Sequence, residues 1–143
     1  MDMSYDDALE QIAVSVLGTM LDIDAARGDA STFFEPNSVT SAISIRGGFD
    51  GEVRLTFSHD LALASAAAMF RVAQDQVTSE DIRDMATEVA NMIGGNLKSV
   101  LPGPSSLSLP VIADTAQAPD VRTLECIVLA AAQGPLRVSF QAA

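Results

Sequence analysis

"GEVRLTF", residues 51–57, and "GPLRVSF", residues 134–140, decide how this chain is read. In the first, Val53, Leu55 and Phe57 face one way and Glu52, Arg54 and Thr56 the other, the alternation of a strand with one buried face. The second keeps the Gly, the Arg and the Phe, and most other positions are similar in kind. Two like strands imply an internal duplication. The helices ahead of them support it: "EQIAVSVLGTML" from Glu10 can be laid on "EVANMIGGNLKSVL" from Glu88, so that Glu10 matches Glu88 and Ala13 stands where Asn91 does. One domain over 1–143 is expected, with half-repeats of about 5–72 and 78–143.

Working outward, Ile43 and Ile45 alternate with Ser44 and Arg46, and "GGFDG" joins that strand to residues 51–57 as a hairpin. Ala8, Ile12, Val16 and Leu17 predict a first helix over 5–21, with Asp6, Asp7 and Glu10 near its positive end. The stretch "DAARGDASTFFEPNS" reads as a polar connection. "SHDLALASAAAMF" is a short helix capped by Ser58, and Thr78 or Ser79 caps the longest helix, placed over 79–101 and ended by Pro102 and Gly103. Three strands follow, over 107–113, 123–131 and 136–141, with Pro110 marking an edge or a bulge. The order predicts an α+β fold: two helix-plus-hairpin halves forming a mainly antiparallel sheet with long helices packed against it.

Composition narrows the function. Eight basic against 19 acidic residues give a net charge of −11, which argues against nucleic acid and anionic membranes as partners. There is one histidine, His59, and one cysteine, Cys126, so a zinc site, a histidine-based triad and an internal disulfide are not expected. Cys126 alternates with Leu124 and Val128 and is expected to be buried. No glycine-rich phosphate loop or cofactor motif is present. Acids occupy the N-terminus where a signal peptide needs a basic region, and no apolar run reaches membrane-spanning length, so a soluble cytoplasmic protein is expected.

The chemistry lies on the longest helix. Ile82, Met85, Ala86, Val89, Ile93, Leu97 and Val100 form an apolar stripe, and Asp84, Glu88, Asn91, Gly95 and Lys98 line the opposite edge at steps of four and three. Glu88 and Asn91 therefore project side by side. Two adjacent glycines in a helix interior cost roughly 1 kcal/mol each against alanine, so they need another use. Gly95 leaves a bare patch beside the polar pair, suited to close approach by a partner; Gly94 suits close packing, and Asn96 a local backbone bond.

"DMATEVANMIGGNLKSVL" resembles the signature helix of the CheC/CheX/FliY family of chemotaxis phosphatases: Asp or Ser, three residues, Glu, two residues, Asn, and a proline further on. Asp84, Glu88 and Asn91 occupy those places. "FDGEVRLTFSHDLALASAAAMF" and the doubled helix-plus-hairpin plan are also similar to that family, and a single Glu/Asn pair is similar to the CheX branch, whose members usually pair as dimers. The family proline stands further downstream of Asn91 than Pro110 does.

The resemblance implies a CheC-like fold and hydrolysis of the aspartyl phosphate on a CheY-like response-regulator receiver. Mg²⁺ would sit on the receiver and this chain would need no cofactor or metal of its own. Glu88 would pair with the receiver's lysine, with Asp84, Gly95 and Lys98 touching the partner. Asn91 suits the placing of an attacking water, since its amide both accepts and donates. The alternative is a non-catalytic adaptor that docks a receiver or a flagellar switch component.

Overall fold

The computed structural model describes residues 5–48, 50–113 and 123–142. Along the chain run α1 (Tyr5–Leu21), β1 (Ala25–Arg27), β2 (Val39–Gly47), β3 (Gly51–Phe57), α2 (His59–Phe70), a 3₁₀ turn (Gln74–Gln76), α3 (Ser79–Lys98), β4 (Ser105–Leu107), β5 (Val111–Ala113), β6 (Thr123–Ala131) and β7 (Leu136–Ala142). All described strand pairs are antiparallel. The sheet order is β1-β6-β7-β3-β2-β4, and β5 continues beside β2 after β4. This is the α+β architecture expected from the residues.

The two like strands, β3 and β7, are neighbours at the centre of the sheet. Leu55 lies opposite Val138, its own counterpart in the echo, and Arg54 lies opposite Ser139, the counterpart of Thr56. Such a register relates the two hairpins by a local twofold axis through the Leu55/Val138 pair. Helices and arms cross over it. α1 lies on β6 and α3 on β2, while β1 pairs with β6 and β4 and β5 pair with β2.

One face of the sheet is apolar because its strands alternate. Ile43, Ile45, Val53, Leu55, Phe57, Ile127, Leu129, Leu136, Val138 and Phe140 are all buried, and they meet Leu9, Leu17, Met85, Val89 and Ile93 from the helices. Truncating one of these large side chains to alanine would cost about 2–5 kcal/mol. Tyr5 and Phe140 pack edge to face, with ring centroids 5.6 Å apart. This core fixes α3 against β2.

Four expectations change. The polar connection after α1 contains β1, a strand of three residues too short to show a period. Strand 107–113 divides into β4 and β5: Ile45 pairs with Leu107 but Ala42 with Val111, a one-residue slip that places a bulge at Pro110, where the ladder lacks an N–H. α3 ends at Lys98, so Val100 is exposed and Leu101 takes the buried place. Cys126 is exposed although Val128, two residues on along the same face of β6, is buried, so the cover on that face reaches Val128 and stops short of Cys126. Partial desolvation still pushes its thiol up, against the opposing pull of Arg137.

The helix correspondence also shifts. Ala13 is wholly buried whereas Asn91 is exposed, so the two do not occupy like places. Sliding the match by one residue lays Ala8, Leu9, Ala13, Val16 and Leu17 on Met85, Ala86, Ala90, Ile93 and Gly94, all of them buried. The counterparts of Asp84, Glu88, Asn91 and Gly95 are then Asp7, Gln11, Val14 and Gly18.

Candidate active site on the long helix

α3 is held rigid from its first residue. Thr78 Oγ1 accepts from the Asp81 N–H at 3.1 Å and the Asp81 carboxylate accepts from the Thr78 N–H at 3.1 Å, a reciprocal capping box. Glu80 and Asp81 lie in the first turn and Lys98 in the last, each matched to the helix dipole. Met85, Val89, Ile93 and Leu97 are wholly buried beneath. The outer edge is thereby fixed in direction by packing on the other side.

Asp84, Glu88, Asn91, Gly95 and Lys98 are all exposed on that outer edge. Glu88 and Asn91 are separated by about 4.5 Å of helix rise and project together. Among the described residues, neither side chain has a hydrogen bond or ion pair. Thr87, half-buried between them and the core, donates its hydroxyl back to the carbonyls of Arg83 (3.0 Å) and Asp84 (3.1 Å), so it presents only a methyl group. A carboxylate and an amide thus stand bare on a convex surface. Acting on a substrate requires that a second molecule bring the reaction centre to them.

The adjacent glycines divide the work. A Cβ on Gly94 would come within 2.9 Å of Ile43 Cγ2, so the absence of a side chain there lets α3 settle onto β2. A Cβ on Gly95 would meet only Leu107 Cδ1, at 3.9 Å, an ordinary contact. Among the described residues nothing demands glycine at 95. Asn96 donates from Nδ2 to the Met92 carbonyl at 2.8 Å and takes no part in the edge.

Other expected or rejected features are also located. A cavity of about 570 Å³ lies at the start of α3, lined by Phe33, Phe34, Val39, Ile82, Arg83 and Ile112 among others, and contains neither Glu88 nor Asn91. His59 opens α2 and lines a smaller cavity with Asp60 and Asn37, away from α3's outer edge. Among the described residues no group of His, Cys, Asp and Glu could hold a metal ion, and no helix is long and apolar enough to cross a membrane. Sequence reading passed over Arg27, which binds the acids of α1, and the highly exposed Leu109. The uncharged run from Val100 to Ala113 was the available signal for the second.

The fold defines a CheC-like class of protein. A family model described as chemotaxis phosphatase CheX matches residues 39–130, and the chain belongs to that family. Solved structures agree in fold. The chemotaxis protein CheX from Vibrio vulnificus superposes with a TM-score of 0.78 at 18% identity, covering 97% of this chain and 96% of that one. CheX from Desulfovibrio desulfuricans gives 0.72 at 21%, covering 96% and 97%. The CheX–CheY–BeF3–Mg²⁺ complex from Borrelia burgdorferi gives 0.73 at 17%, covering 98% of each chain. No curated protein matches the chain.

Proposed function

We propose that this protein hydrolyses the aspartyl phosphate of a CheY-like receiver, with Asn91 placing the attacking water and Glu88 pairing with the receiver's active-site lysine. The observation that carries the reading is the exposed, unpartnered Glu88 and Asn91 on a helix whose opposite face is locked into the core. An acyl phosphate is already activated, so catalysis needs mainly a water held in line with phosphorus. Asn91 offers an acceptor and donors on a short side chain that loses little freedom. Glu88 beside a phosphate would be repelled, but beside a lysine it makes a charge-assisted bond that orients the partner. Mg²⁺ and the lysine on the receiver would neutralise the phosphoryl group, so a chain of net charge −11 need not bind the phosphate itself. The CheX–CheY complex from Borrelia burgdorferi, which contains Mg²⁺ and BeF3, supports a receiver as the partner.

Asp84 and Lys98 extend the same edge and would touch the receiver, and Gly95 would let its backbone approach. We further propose that the chain pairs as a homodimer and works in the cytoplasm, where receivers are phosphorylated. Sedimentation tests the first. For the chemistry, loss of the phosphoryl group from a ³²P-labelled receiver is followed with wild type, Asn91→Ala and Glu88→Ala. Acceleration should vanish in Asn91→Ala with binding largely kept, and Glu88→Ala should weaken binding as well. Equal rates for wild type, Asn91→Ala and the receiver alone would reduce the protein to a docking module, and equal acceleration by wild type and Asn91→Ala would remove Asn91 from the reaction.

A further inference from the structure

We infer that Leu107 and Leu109, on the β4–β5 arm, form an apolar shelf beside Asn91 on which the receiver domain rests while its phosphate is attacked. The inference builds on the proposed receiver partner and adds the surface that selects it. Leu109 is 86% exposed, more than any other large apolar side chain of the described residues. From Val100 to Ala113 there is no charged side chain, in a chain where 19% of residues are charged. An outer arm without charge is a surface built to be covered.

The arm's position follows from its contacts. Leu107 Cδ1 lies 3.9 Å from the Cβ place of Gly95, and Ile112 shares a cavity wall with Ile82 and Arg83. The arm therefore runs alongside α3 in the opposite direction. Two residues of extended chain beyond Leu107 span about 7 Å, which on a helix rising 1.5 Å per residue reaches back from Gly95 to about Asn91. Leu109 is thus level with the amide. On a helical projection Thr87, Asn91 and Lys98 lean toward the arm and Glu88 leans away, so a molecule seated on Asn91 meets the arm on one flank and the carboxylate on the other.

A second copy of the chain suits this surface less well. Adding a strand needs a continuous row of backbone donors and acceptors, whereas here β4 and β5 have three residues each, slip by one residue between them, and enclose Pro110. Ser108 also folds its hydroxyl into local bonds, accepting from the Ser44 N–H at 2.9 Å and donating to the Leu109 carbonyl at 3.1 Å. What the bulge offers outward is a side chain. The occupant expected is a receiver face with an apolar rim around its phosphorylated aspartate.

The test uses the full chain and a panel of CheY-like receivers loaded with BeF3 and Mg²⁺, taking the tightest binder. Leu109→Glu should raise Kd, and KM for the phosphorylated receiver, by about tenfold while kcat stays within about twofold, and Leu109→Met should restore both. Melting temperature should not move. If binding by Leu109→Glu equals wild type, the shelf is wrong, and it is equally wrong if that variant only splits a dimer with Kd unchanged. Should wild type not accelerate loss of the phosphoryl group while Leu109→Glu weakens binding, the phosphatase reading fails and the shelf stands.

Discussion

α1 and α3 present two edges built to one plan, and they differ in what their polar positions can do. On α3 the outer edge is Asp84, Glu88, Asn91, Gly95; on α1, in the register set by burial, the matching places are Asp7, Gln11, Val14, Gly18. The acid and the glycine persist, while the central carboxylate has become an amide and the central amide an isopropyl group. Val14 is half-buried and holds no water. The arms differ too. Arg27 on β1 donates from Nε to Glu10 at 2.7 Å and stands 3.7 Å from Asp6 and 3.9 Å from Asp7, tying the α1 edge to its own arm. Beside α3 the arm carries leucines and no charge. The acids at the start of one edge are paired within the chain, and Glu88 and Asn91 on the other are left for a second molecule.

The largest effect that would break this comparison is on Asn91. Asn91→Ala should lower receiver dephosphorylation to the receiver's own rate, a loss on the order of 10²-fold, the scale of removing one positioned polar group from a reaction centre. Substituting the two glycines should then separate packing from docking. Gly94→Ala should lower stability by about 1–3 kcal/mol through the clash with Ile43, read as a fall in melting temperature. Gly95→Leu should raise the melting temperature slightly, through helix propensity, and raise Kd for the receiver by about tenfold. The opposite result for this pair would mean that α3 sits differently on β2.

A gain of function probes the silent edge. In an Asn91→Ala background, Gln11→Glu with Val14→Asn should remain inactive, because Arg27 beside Asp7 would capture the new carboxylate; adding Arg27→Ala should bring detectable turnover. Arg27→Ala alone should cost no more than about 1 kcal/mol in urea denaturation, and less at high salt, since the clasp is half-exposed. The smallest expected effect is at Asp29. Its carboxyl is held below its ordinary value near 3.8 by the Ser31 N–H and hydroxyl, so its contribution to stability is present above that value and fades as pH falls through the lowered one. Asp29→Asn should flatten that part of the acid melting curve.

The elements and the candidate edge were legible where a period ran long enough. Seven alternating residues at 51–57 and their echo at 134–140 marked two like strands, which the structure pairs at the centre of the sheet, and the stripe on α3 turned Glu88 and Asn91 to the same side. Short elements escaped for the converse reason. β1 has three residues, and the break between β4 and β5 depends on which residue of β2 each one faces. Cys126 escaped because alternation puts it on one face with buried Val128 without saying how far along the strand that face is covered.

By itself, then, the sequence determined local periodicity, the duplication of the strands and the spacing that brings a carboxylate and an amide together one turn apart. Tertiary structure decided the rest: that α1 and α3 correspond one residue away from the match their letters suggest, that Arg27 pairs the acids at the start of α1, and that an uncharged arm lies along α3. The physical reason is that periodicity is a property of neighbouring residues on one element. Burial of Ala13, capture of Glu10 and the contact of Leu107 with Gly95 arise only when separate elements pack.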